Sequence, residues 1–204
     1  MERSKGNIPT VQSRLRHGIL RMPETAYQAS GIVINGRRIK SLVFTTDLAI
    51  IRNCDADAVF AGVGGGTTKG LRTIGLAKDA EGQGAMGVVL NSPVTDLNLA
   101  AVAAAVDIPV IITVTSPKTD ITRRLTAGAQ ILNIACGEET ASVVEAIHAA
   151  HPDVPIIASG GPTEETVRRT IEAGANAVTI TPPSTKELFR GLMERYRETG
   201  GAEE

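Results

Sequence analysis

Aromatic residues are scarce in this sequence: they make up 2% of its 204 residues, and tryptophan is absent. Because proteins that bind single-stranded nucleic acid stack bases on aromatic side chains, we expect no such stacking surface here. The formal net charge is only −1 at pH 7, which argues against a surface built for nucleic acid or for an anionic membrane. Nucleic-acid and membrane partners are therefore not expected, and any basic site must be local.

Cysteines and long apolar runs are scarce as well. Cys54 and Cys136 are too few for a disulfide framework, and they show no metal-ligand spacing. No apolar run approaches the roughly 20 residues that a membrane-spanning helix needs, and no apolar stretch near the N-terminus is typical of a secretory signal. We expect a cytoplasmic protein without a metal or a cofactor.

The chain contains a regular alternation of short apolar strands and helix-length segments. Each predicted strand is rich in β-branched residues and ends in glycine or in a small polar residue. Strands separated by helices predict right-handed crossovers and a parallel sheet. We predict a single domain, with an N-terminal arm and hairpin over residues 1–40 and a barrel over residues 41–204. Within the arm, Asn35-Gly36 predicts a hairpin turn, and the segment from Thr10 to Leu20 favours a helix.

An internal repeat identifies the type of sheet. Asp107 to Ile112 (DIPVII) is echoed by Asp153 to Ala158 (DVPIIA), and Ala127 to Ala129 (AGA) is echoed at the same separation by Ala173 to Ala175 (AGA). One repeat therefore spans two strand–helix units, which is how a TIM (β/α)8-type barrel is assembled.

The units number seven rather than eight, and the irregular place is the segment from Asp57 to Gly66. It begins like one kind of strand in the repeat and ends like the other kind. This pattern predicts the loss of one strand–helix unit near Ala61-Gly62. Alternatively, the hairpin that begins at Ile32 supplies the missing wall. Because a barrel short of one strand has an exposed edge, we expect a homo-oligomer.

The candidate catalytic residues are Asp47, Asn91 and Lys118, since active sites of parallel barrels lie at the carboxyl ends of the strands. For Asp47 we favour the alternative of a helix N-cap, and for Lys118 that of a solvated turn. Cys136 also follows a strand, but no histidine ends another strand to activate it, so a buried cysteine is the better interpretation.

A phosphate site is predicted where a strand, a glycine turn and a helix start follow one another, because backbone N–H groups are exposed there. The alternative is a tight connection without a ligand. The candidate phosphate-binding residues are Ser159, Gly160, Gly161, Thr163, Thr181, Ser184, Gly65 and Gly66.

Three segments near the C-terminus resemble the last two units of the ribulose-phosphate-binding barrel superfamily: Ile156 to Thr163, Glu172 to Val178 and Thr181 to Ser184. Nearly the whole chain also resembles a group of uncharacterised bacterial barrel proteins that are often named only "hydrolase". The segments that carry this second resemblance are Ile32 to Val43, Gly62 to Gly66, Gly87 to Asn91 and Thr179 to Ser184. The resemblance implies the barrel and a phosphate cradle at Gly160, Gly161 and Ser184, but no particular reaction. Members of the group carry about one more strand–helix unit between Ala61 and Gly62.

Three functional hypotheses follow. The first is an enzyme that acts on a small phosphorylated metabolite as a lyase, an isomerase or a hydrolase. The second is a ligand-sensing regulator similar to the glycerol-phosphate-responsive antiterminator proteins. The third is an inactive relic of the barrel family. The low aromatic content and the near-neutral charge favour the enzyme.

Overall fold

The computed structural model describes residues 17–21, 31–39, 41–161, 163–180 and 190; of 17–21 and 180, only the backbone is described. The strands are β1 His17–Arg21, β2 Ile32–Ile34, β3 Arg37–Ile39, β4 Ser41–Thr45, β5 Ala58–Gly64, β6 Gly87–Leu90, β7 Val110–Val114, β8 Ile131–Ile134, β9 Ile156–Ser159 and β10 Ala177–Ile180. The helices are α1 Leu48–Asn53, α2 Leu71–Gly82, α3 Asp96–Ala103, α4 Ile121–Thr126, α5 Thr140–Ala150 and α6 Glu164–Glu172, with a 3₁₀ turn at Gly137–Glu139.

Seven parallel strands, β4 to β10, form the barrel wall in chain order. The ring is closed by β1, which pairs antiparallel with both β4 and β10. The predicted TIM-type barrel is thus confirmed. The predicted helix is wrong in its last residues, because His17–Arg21 is a strand whose backbone pairs with two otherwise unpaired edges.

Strand β5 contains the point at which the sequence predicts that a strand–helix unit is missing. Its first part pairs with β4, joining Leu42–Thr45 to Ala58–Ala61, and its second part pairs with β6, joining Phe60–Gly64 to Gly87–Leu90. The register with β6 shifts between Gly62 and Gly64. One continuous strand therefore runs through the predicted deletion point at Ala61-Gly62.

The exposed edge from which we predicted a homo-oligomer is covered. Because β1 pairs with β4 on one side and with β10 on the other, neither of these strands is left as an open edge. The argument from an exposed edge therefore no longer supports a homo-oligomer, which stays a prediction.

The hairpin β2–β3 forms where Asn35-Gly36 predicted it, with φ angles of 50° and 74° at these two residues. It is a separate two-stranded sheet, so the alternative that it supplies the missing wall is wrong. Its buried isoleucines pack against residues of the barrel interior instead, and Arg37 forms an ion pair with Asp57 at the start of β5. The hairpin thus lies at the amino-terminal end of the strands.

The strand residues alternate between two hydrophobic clusters, as side chains of a pleated strand must. One cluster packs between the strands and the helices. The other fills the interior and includes Phe44, Phe60, Val89, Ile111 and Ile131, with the two phenylalanine rings stacked at 5.7 Å. Apolar side chains therefore fill the amino-terminal part of the barrel, and any site lies nearer the carboxyl ends.

Candidate functional site

A row of three polar side chains crosses the barrel interior at the carboxyl ends of β6, β7 and β8. Asn91, Thr113 and Asn133, here called the polar row, each follow an interior residue by two positions: Val89, Ile111 and Ile131. The period of two places the polar row on the same interior face. Thr113 and Asn133 are also Cα partners in the β7–β8 ladder, so their side chains lie side by side.

The polar row is connected by hydrogen bonds. The Thr113 hydroxyl donates to Asn91 Oδ1 at 2.9 Å, and Asn133 Nδ2 donates to Thr113 Oγ1 at 3.1 Å. Asn133 is only 2% exposed and Thr113 only 9%. The Thr113 and Asn133 side chains that form these two hydrogen bonds are therefore shielded from bulk water.

Asn133 has one buried polar atom without a partner. Its Oδ1 is inaccessible to solvent and accepts no hydrogen bond from the described residues. Turning over the carboxamides of both Asn133 and Asn91 would reverse the row, with Thr113 donating to Asn133 Oδ1, and would only exchange the unpartnered oxygen of Asn133 for an unpartnered nitrogen. The next residue along the ladder is Ile157, which offers no polar atom. Such an atom costs about 1–3 kcal/mol of folding free energy, and its retention requires an explanation.

Further uncharged groups lie one step nearer the opening. Ser159 and Thr179 are Cα partners in the β9–β10 ladder, two positions after the interior residues Ile157 and Ala177. On the other side of the barrel, a Cβ on Gly62 would lie 3.0 Å from Thr46 Cγ2 and 3.9 Å from Asn91 Nδ2. A side chain at Gly62 would therefore crowd Thr46 and approach the Asn91 amide.

Of the three catalytic candidates, Asn91 belongs to the polar row. Asp47 caps helix α1, where its Oδ1 accepts a hydrogen bond from the Ala49 N–H at 3.0 Å, and this geometry matches the N-cap alternative. Lys118 is exposed in a turn in which its N–H donates to Ser116 Oγ at 3.3 Å. The catalytic roles of all three stay predictions.

The glycine turn after β9 has two residues with different constraints. The Gly160 N–H donates to the Thr179 carbonyl at 2.9 Å and is thereby engaged within the sheet. A Cβ on Gly160 would lie 2.3 Å from Val178 Cγ1 and 2.8 Å from Val167 Cγ2, so packing alone requires glycine there. Gly161 has a φ of +74°, and its N–H donates to none of the described residues. Of these two amides, that of Gly160 is therefore unavailable to an anion.

The start of helix α6 is already capped. Thr163 Oγ1 accepts from the Thr166 N–H, and Thr166 Oγ1 accepts from the Thr163 N–H in return. Glu164 and Glu165 occupy the first turn and offset the positive end of the helix dipole. An anion at this helix start would compete with the cap and would be repelled by both glutamates. The phosphate role of Thr163 stays a prediction that these contacts do not favour.

The remaining phosphate candidates are divided between two places. Gly65 exchanges hydrogen bonds with Thr68 through both its N–H and its C=O, and its neighbour Gly66 is exposed with a φ of +60°. Thr181 and Ser184 lie outside the described residues. Phosphate binding at these four positions stays a prediction.

Two surface cavities adjoin these loops. A cavity of about 330 Å³ lies between α5 and α6 beside the Ser159–Gly161 turn, and exposed Arg169 contributes a positive charge to its lining. A second cavity of about 450 Å³ lies between α2 and α3 and is mainly apolar. Leu71 and Leu97 border it and are 86% and 83% exposed.

Cys136 follows β8, where its Sγ lies 3.6 Å from the Val114 carbonyl oxygen. Burial, and secondarily the nearby Glu139 carboxylate, raise the pKa of the Cys136 thiol above its ordinary value. The thiol is therefore protonated at neutral pH, which supports a structural rather than a nucleophilic cysteine.

The sequence places Asn133 at the end of a predicted strand, where a site would lie, but gives it no catalytic or phosphate-binding role, and Thr113 is not among the residues selected from the sequence. Counting the strand alternation from the apolar interior residues would have placed both on the same face as Asn91. Within the described parts of the chain, no three histidine, cysteine or acidic side chains come together as a metal site would require. None of the described helices has the length and apolarity needed to cross a bilayer.

Comparison with known proteins supports the fold. No family model and no curated protein matches the sequence. Among solved structures, a protein described as a phosphonomutase from Burkholderia cenocepacia J2315 matches with a TM-score of 0.54 and 16% identity, covering 75% of this chain and 73% of its own. A phosphonopyruvate hydrolase matches at 0.52 and 20%, covering 77% and 67%. A mandelate oxidase variant matches at 0.60 and 16%, covering 84% and 73%. At these identities the likeness establishes a barrel shared with enzymes.

Proposed function

We propose that this protein is a barrel enzyme that binds a small phosphorylated metabolite at the carboxyl-terminal opening of its strands, in a lyase, isomerase or hydrolase reaction. The observation that carries the proposal is the polar row, with its unpartnered Asn133 amide, at the end of the barrel where parallel barrels place their sites. An interior filled only for stability would continue the apolar layers of Val89, Ile111 and Ile131.

The phosphate end of the molecule is assigned to the loop after β9 and the segment after β10. The Gly161 N–H has no acceptor among the described residues, and the half-buried Ser159 stands at the same turn. Thr181 and Ser184 are included from the sequence alone, because they lie outside the described residues. Gly160 contributes the close approach of the chain rather than an N–H, because its own N–H is bonded to Thr179. Two of the matching proteins are named for phosphonate chemistry, which is compatible with such a site.

Titration with inorganic phosphate, followed by the backbone amide resonances, tests the proposal. We expect saturable shifts at Ser159 and Gly161, weakened by Ser159→Ala. Ser142→Ala is a matched control, because Ser142 is an exposed serine on α5 whose hydroxyl donates to the Glu139 carbonyl. Shifts that appear only around Arg169, or none at millimolar phosphate, would overturn the assignment.

A further inference from the structure

We propose that the polar row is an inner subsite that receives an uncharged, hydroxyl-bearing part of the bound molecule, with the Asn133 carboxamide as its specificity-determining group. The inference rests on the proposed function, which places the bound molecule at this end of the barrel. The subsite itself does not depend on the phosphate-binding residues. It names the substrate class as a phosphorylated polyol or another hydroxylated compound.

None of the described residues satisfies the Asn133 oxygen. Thr113 is engaged on both sides, by Asn91 Oδ1 and by Asn133 Nδ2, and the neighbour beyond Asn133 is Ile157. Since Asn133 Nδ2 is directed to Thr113 on β7, its oxygen is directed away from β7. The hydrogen bonds of this amide are therefore completed only by a group from outside the described residues, which we infer to be the bound molecule.

The chemistry of the subsite favours a neutral group. Every buried polar side chain in the described part of the protein is a threonine or Asn133, so no buried charge is present to neutralise a second one. The polar row lies next to the interior apolar cluster, two residues further along each strand. A carboxylate placed there would lose its hydration without gaining an ion pair, which is strongly unfavourable.

A hydroxyl suits the subsite better than a group that only donates or only accepts. Whichever way the Asn133 amide is turned, the unpartnered atom is complemented by a hydroxyl, because a hydroxyl can donate or accept. Asn91, at the other end of the polar row, is half-buried and offers a second amide to the same molecule. A phosphorylated keto acid carries a carboxylate where this subsite offers no positive charge, so it fits less well than a phosphorylated polyol.

Calorimetric titration with matched probes tests the inference. The probes are sn-glycerol 3-phosphate and the longer ribitol 5-phosphate, phosphoglycolate, which replaces the hydroxylated end by a carboxylate, and inorganic phosphate. We expect at least one polyol phosphate to bind more tightly than phosphoglycolate. Asn133→Leu, which keeps the number of side-chain heavy atoms, should reduce that preference by about tenfold, as the loss of a buried hydrogen bond of about 1.4 kcal/mol would.

The controls separate the two proposals. Affinity for inorganic phosphate should be the same in Asn133→Leu and in wild type, and Ser142→Ala should leave every affinity unchanged. A preference for phosphoglycolate, or an unchanged preference in Asn133→Leu, would overturn the inner subsite while leaving the phosphate site standing.

If no phosphorylated probe binds, the proposed function fails, and titration with neutral glycerol or ribitol decides the subsite separately. A saturable shift of the Asn133 side-chain amide resonance that Thr113→Val diminishes would support it. Absence of any shift, or a bound water at Asn133 that these polyols do not displace, would overturn it.

Discussion

Replacing Asn133 by leucine should stabilise the ligand-free protein. Leucine has the same number of side-chain heavy atoms, and Ile157 is its neighbour along the ladder. The substitution removes a buried unpartnered atom, a gain of about 1–3 kcal/mol, and loses the hydrogen bond to Thr113, a cost of about 0.5–1.5 kcal/mol. Thr113 keeps its donor bond to Asn91, so no new buried donor is left unpaired. The expected net gain is about 1 kcal/mol.

Thr113→Val is the matched contrast, because it changes one buried atom in the same row and preserves the β-branched shape. It removes the only described partner of the Asn133 amide, which is 2% exposed, and also the partner of Asn91 Oδ1. We expect a loss of about 1–3 kcal/mol from the newly unpaired amide group. Two near-isosteric substitutions at adjacent positions should therefore change stability in opposite directions.

Urea unfolding of wild type, Asn133→Leu and Thr113→Val measures the change in unfolding free energy of each variant. The comparison requires that the three m-values be equal. In a protein of this size, 1 kcal/mol corresponds to about 2–4 °C in Tm, which thermal unfolding can check. A loss of stability in Asn133→Leu beyond about 1 kcal/mol would mean that the amide is already satisfied in the free protein. The argument for an incomplete hydrogen-bond row would then be wrong.

Gly160→Ala should destabilise the protein by about 1–3 kcal/mol, because the added methyl group would overlap two valines. Gly75→Ala should stabilise it by about 0.5–1 kcal/mol, because Gly75 is exposed within α2 and no atoms lie near the added methyl group. Chemical denaturation measures both changes, and equal effects would refute the packing argument. Asp57→Ala should cost about 2 kcal/mol, since this carboxylate accepts hydrogen bonds from the Ser41 N–H and from Arg37; an unchanged unfolding midpoint would contradict its role in anchoring the hairpin. In a Cys54→Ser background, the rate at which Cys136 reacts with iodoacetamide should follow the thiolate fraction and reach half its maximum at a pH above the pKa of a free thiol, about 8.5, because burial and Glu139 raise the pKa of the Cys136 thiol; a midpoint at or below that value would contradict this environment.

The barrel could be predicted from the sequence because its signals are local and repeated. The DIPVII and DVPIIA echoes mark corresponding strands, and Asn35-Gly36 sets a turn by its own backbone preference. The irregular segment at Ala61-Gly62 was visible for the same reason, since one strand joins two recognisable halves. The role of β1 could not be predicted, because its partners β4 and β10 are distant in sequence and its pairing depends on their unpaired edges.

The site was less predictable than the fold. A glycine turn before a helix indicates an anion site, but the same glycines are explained by Val178, Val167 and the Thr163 cap, which only the three-dimensional contacts show. Conversely, the sequence places Asn133 at a strand end but does not distinguish it from the other polar residues there. Its significance comes from the absence of a partner for one atom, and that depends on which residues lie beside it.

A crystal structure of the protein soaked with sn-glycerol 3-phosphate tests the central claim most directly. The account predicts the molecule at the carboxyl ends of the strands, with a hydroxyl within about 2.7–3.2 Å of the Asn133 amide and its phosphate at the Gly161 N–H. An empty interior, or density only in the apolar cavity between α2 and α3, would contradict it.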